Sequence, residues 1–161
     1  MENLILDIIK YILAVYPHKD DLSASRLTKM LYLADWKSAI QNESQLTNAK
    51  WYFNHYGPYV DDFVELAKKD KEIDVIKTWT SFGGQKQLFK LKSDYQNKHY
   101  DLTDQSKEIV NFVIQKTHEK SYEDFIKLVY STYPIISSSR YDELDLVPKA
   151  LEYKQNFHTQ H

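Results

Sequence analysis

Breakers of regular structure are scarce in this chain, three glycines and four prolines in 161 residues, and one of each stands side by side in HYGPYV, 55–60. A chain so sparing of both needs a reason to place them together. Proline at the first position of a helix gives up no hydrogen bond, its fixed φ suits that position, and glycine can occupy the cap before it. The pair therefore predicts a helix start. Asp61 and Asp62 follow where the positive end of the helix dipole would be, and Val60, Phe63, Val64 and Ala67 repeat at the spacing of a core-facing helix.

The rest of the chain reads largely as helix. Leu4 to Tyr16 is apolar on most of its surface and stops at Pro17. Ser23 is a fitting N-cap for a second helix with one face made by Leu27, Met30, Leu31 and Ala34 and another by Leu33, Trp36 and Ile40. Between those faces runs a thin polar stripe of Thr28, Tyr32 and Asp35. KWYFNHYG reads as extended. IDVIKTWT and KQLFKLK, separated by SFGGQ, predict a β-hairpin over about 73–92. Thr103 and Ser121 can cap two further helices, YPIISSSRYDELDLV is irregular, and Pro148 opens a short last helix. No repeat or linker interrupts 1–161. The expected fold is mainly α, a single compact helical domain with one small inserted hairpin.

Composition removes several classes of function. The net charge of -2 and pI near 6.3 supply no general attraction to nucleic acid or an anionic membrane. The absence of cysteine excludes disulfides and thiolate chemistry and fits a reducing, cytoplasmic setting. The longest apolar run, Leu4 to Val15, is broken by Asp7 and Lys10, too short and too charged to span a bilayer. No G-x-x-x-x-G-K or G-x-G-x-x-G loop occurs. No H-x-x-x-H or H-E-x-x-H pair joins the six histidines, His18, His55, His99, His118, His158 and His161, so no metal ligand is named. Ser137, Ser138 and Ser139 lack a nucleophile elbow and read as a turn. The expectation is a protein without catalytic residue, cofactor or metal. Thirteen tyrosines favour a protein interface.

Two features carry more than one meaning. Asp35, on the polar stripe of an otherwise apolar helix, must be hydrated, paired or hydrogen-bonded. It is either a buttress accepting from Tyr32, Arg26 or the helix start at Gly57-Pro58, or an acidic contact offered to a partner beside Tyr32. Lys68 to Lys92 holds seven lysines, and a helix pair followed by a basic hairpin is the outline of a winged-helix DNA reader, with Lys77, Lys86, Lys90 and Lys92 toward phosphates. Against it, lysines on a two-stranded edge also guard against edge pairing, and the helix that would enter the groove is apolar.

LTKMLYLADW (27–36), then an aromatic stretch and HYGPYVDDF (55–63), resembles the Panacea domain, the SocA-like antitoxin family of bacteria and their phages. Lys29, Leu31, Tyr32, Ala34, Asp35, Tyr56, Gly57 and Pro58 fall on that family's pattern, and VYSTYPIISSSRYDELDL (129–146) looks like its C-terminal portion. The resemblance spans roughly Leu4 to Leu151. Trp51 lies five residues before Tyr56, farther than the family's tryptophan usually sits, so Trp51, Tyr52, Phe53 or His55 fills that place. The resemblance implies a non-enzymatic antitoxin that neutralises a cognate toxin by binding it or by delivering it to a ClpXP-type protease. The expected partner contacts are Tyr32, Asp35, Trp51 and Tyr56, together with Tyr59, the ring left exposed because Val60 and Phe63 claim the core-facing stripe; Lys29, Leu31, Ala34, Gly57 and Pro58 are expected to set the shape. The alternatives are a phage or prophage protein that binds a host defence or regulatory protein, and the DNA-binding regulator.

Overall fold

Helix α2 (Ala24–Asn42) is the element around which the others are laid. It begins where the sequence predicts: the Ser23 hydroxyl accepts from the Arg26 N–H at 3.1 Å. It ends at Glu43, which takes a left-handed φ of 58° and returns its N–H to the Ala39 carbonyl. Every residue from Arg26 to Trp36 is buried, including the polar stripe of Thr28, Tyr32 and Asp35. The computed structural model describes residues 4–19, 22–60, 63–96, 98 and 100–157.

The cover on α2 comes from several elements. Helix α1 (Leu4–Val15) packs its Leu6, Ile8, Ile9, Ile12 and Leu13 inward. The later helices α4 (Asp104–Thr117), α5 (Tyr122–Tyr130) and α7 (Leu146–Phe157) lie against other sides. Thr103 and Ser121 cap α4 and α5 as expected, accepting from Ser106 N and Asp124 N. Helix α7 starts two residues before Pro148, which sits within its first turn, where a missing N–H costs nothing. None of the helices among the described residues is long and apolar enough to cross a membrane.

The hairpin over 73–92 is present. Strands β3 (Ile73–Trp79) and β4 (Gln85–Leu91) pair antiparallel with Ile73 opposite Leu91 and Trp79 opposite Gln85. Its base is buried at Ile73, Phe89 and Leu91, while Trp79 and Phe82 near its tip are exposed. At the base, Lys10 of α1 meets Asp70 and Glu72, each at 2.7 Å.

Two expectations are corrected. Gly57-Pro58 does not start a helix. It belongs to β2 (Gly57–Tyr59), which pairs antiparallel with β1 (Trp51–Asn54), and the next helix is α3 (Phe63–Lys69). Asp61 and Asp62, expected at the dipole, lie outside the described residues, as do His99, His158 and His161. The segment after α5 is not wholly irregular: it contains α6 (Tyr133–Ile136) and β5 (Glu143–Leu144), and β5 pairs with β1. The mainly α fold therefore carries a three-stranded sheet of order β2-β1-β5 besides the hairpin.

Candidate functional site

Asp35 has no exposed surface, yet its carboxylate is saturated with donors. Oδ1 accepts from Thr47 N at 2.9 Å; Oδ2 accepts from Thr47 Oγ1 at 2.6 Å, Trp51 Nε1 at 2.9 Å and Gln45 Nε2 at 3.4 Å. Gln45 Nε2 also donates to the carbonyls of Thr47 and Ala49, so the loop between α2 and β1 folds over the carboxylate. Burial pushes the Asp35 carboxyl up to about 6, with the bonds from Thr47 and Trp51 working the other way. The buttress reading is supported, but with other partners. Arg26 instead bonds the Tyr16 hydroxyl and the carbonyls of Thr117 and Lys120, and Tyr32 bonds the Thr132 hydroxyl at 2.7 Å. The Gly57-Pro58 segment and Tyr56 make no bond to the carboxylate among the described residues.

Through Trp51 the carboxylate is bolted to the central strand of the sheet. The indole is buried, stands edge-on to Tyr32 with centroids 5.6 Å apart, and gives its one N–H to Asp35. Phe53, two residues on and on the same strand face, is buried edge-on against Tyr130. Tyr32, Asp35 and Trp51, expected as partner contacts, have no surface to offer in this conformation. Leu31 and Ala34 are core residues of the same helix.

Beyond Asn54 the chain turns in two residues, His55 and Tyr56, and rejoins the ladder at Gly57. Gly57 takes φ +106°, which a side chain rarely tolerates, and a Cβ there would lie 3.0 Å from Tyr130 Cε1 and 3.6 Å from Lys29 Cε. Pro58 faces Phe53 across the pair in β2, an edge strand, where a missing N–H is tolerated. The turn thus presents Tyr56, 78 % exposed and edge-on to His55, with Tyr59 at 41 % beside it.

Under this turn lies a cleft of about 380 Å³, lined among others by Ser25, Lys29, Tyr56, Tyr59, Val60 and Phe63. Lys29 is buried, and its Nζ donates to Ser25 Oγ at 3.0 Å. None of the carboxylates among the described residues is within ion-pair reach of it. Burial accordingly lowers the Lys29 ammonium to about 8. Thr47, Gln45 and Tyr130 complete the joint and carry no signal in the sequence, because a polar loop and a helix end meet this site only through the fold.

One helix and one hairpin are therefore joined through a buried carboxylate, and an aromatic turn is displayed above a cleft with a lysine in its wall. The antitoxin SocA-like, Panacea domain family matches residues 27–134, more than half of the chain, and the chain belongs to that family. The match begins inside α2 and ends inside α6, so it includes the whole joint and leaves α1, β5 and α7 outside. No curated protein and no solved structure matches the chain.

Proposed function

We propose that this protein is an antitoxin that acts by binding a toxin, and that Tyr56 and Tyr59 belong to the surface that meets it. Membership of the family supplies the class of partner. The observation that carries the reading to these residues is the division of labour within the two motifs. Tyr32, Asp35 and Trp51 are consumed inside the joint, whereas Tyr56, on the two-residue turn, and Tyr59, at the end of β2, keep exposed rings. Exposed tyrosines offer a large contact area with a hydrogen-bonding tip, the property that enriches them in interface centres.

A toxin held at this turn is either blocked outright or carried to a ClpXP-type protease. The test is co-expression with each small protein encoded beside the gene. Restored growth together with co-purification of the pair supports the antitoxin. A toxin level that stays constant marks direct inhibition, and one that falls only while the protease is present marks delivery. If none of the neighbours is toxic, or none is relieved or retained, the antitoxin role is refuted.

A further inference from the structure

Two lysines in this protein are deeply buried, and they are treated differently. Lys10 is met by the carboxylates of Asp70 and Glu72 at 2.7 Å. Lys29, 4 % exposed, has one partner among the described residues, the Ser25 hydroxyl. An ammonium has three donors, and leaving a buried one without a counter-charge is costly. Nor do its neighbours among the described residues provide a substitute. The Ser25 hydroxyl is shared with the Tyr122 hydroxyl, and the Thr28 hydroxyl donates to the Ala24 carbonyl. Glu65, on the wall of the same cleft, is bonded to Lys68 at 3.3 Å.

The position of Lys29 suggests what the unspent donors are for. Its side chain lines the cleft beneath the turn, and its Cε passes 3.6 Å from where a Cβ of residue 57 would stand, so the glycine leaves room beside it. The exposed rings of Tyr56 and Tyr59 flank the opening. We infer that the cleft is a socket for one carboxylate side chain of the bound protein, an Asp or Glu that inserts beside the turn and pairs with Lys29. The inference rests on the antitoxin reading only for the statement that the carboxylate belongs to a protein. A single ammonium without an arginine fork suits one carboxylate better than a phosphate, which draws on several donors.

The socket can be probed without the partner. Full-length 15N-labelled protein is titrated with N-acetyl-glutamic acid α-amide, which has one free side-chain carboxylate, and with its glutamine counterpart. The glutamate compound should give saturable amide shifts at Gly57 and Tyr59, and the glutamine compound should bind about tenfold more weakly or not at all, the usual worth of a charge-assisted bond. Lys29→Met keeps the stem and removes the charge. It should abolish the response while melting at or above the parent temperature, because an uncompensated buried charge has been removed. Equal response to the two compounds, no saturable response, or a response that persists in Lys29→Met overturns the proposal. So does failure of Lys29→Met to fold, which would make the ammonium a structural group. Relief of toxicity undiminished by Lys29→Met would leave the antitoxin role standing and refute the socket alone.

Discussion

Asp35 shows why a residue type can be obligatory without touching a partner. Of the groups that meet it, Thr47 N, Trp51 Nε1 and Gln45 Nε2 can only donate. A carboxylate accepts from all of them, whereas an asparagine would turn its own donor toward one. Gly57 is fixed for a different reason, by its positive φ and by the Tyr130 ring packed where a Cβ would be. Gly57→Ala should therefore destabilise the protein by about 1–3 kcal/mol, the usual cost of a strained backbone held by its surroundings. Pro58→Ala should change stability by less than about 1 kcal/mol, because an edge strand does not depend on the missing donor. Urea denaturation of the two variants checks the order, and a larger loss for Pro58→Ala would contradict it.

At the scale of elements, what the sequence made legible was whatever is coded locally. Ser23, Thr103 and Ser121 name their own helix starts, and the β3–β4 hairpin announces itself by alternation around a glycine turn. Gly57-Pro58 misleads because the same pair suits a helix start and an edge strand. What decides between them is the pairing of Pro58 with Phe53 and the seating of the ladder on α2. Strand β5 is two residues long and exists because β1 has a free edge opposite β2, a cause that lies about ninety residues away. Asp35 was recognisable as a residue in need of partners, but the identity of those partners was not. Thr47 and Gln45 sit in a polar loop whose path is set by the carboxylate it wraps.

Across the whole molecule, two buried carboxyls pull the pH dependence of stability in opposite directions. Burial raises Asp35 from its ordinary 3.8 to about 6, so the folded state binds that proton more tightly than the unfolded chain, and stability falls as pH rises from about 4 to about 6. Burial also works to raise Glu72, but Lys10 and Lys98 outweigh it and hold the group near 2, below its ordinary 4.5. Its contribution is present above pH 4.5 and is lost as pH falls toward 2. Melting temperature should thus rise on going from pH 7 to about 4.5 and drop steeply below that, and Asp35→Asn should flatten the first limb. A parent curve that falls steadily from pH 7 downward would contradict this. The central claim is that Asp35 holds α2 and the β1–β2 hairpin together while Tyr56 on the turn and Tyr59 at the end of β2 keep exposed rings. Its most direct test is the melting temperature of Asp35→Ala beside that of Tyr56→Ala. Loss of the carboxylate strands buried donors and should cost about 3 kcal/mol, a drop of about 6–12 °C in a chain of this size, while Tyr56→Ala should melt within about 2 °C of the parent. An Asp35→Ala protein that melts like the parent, or a Tyr56→Ala protein that loses as much, would contradict the account.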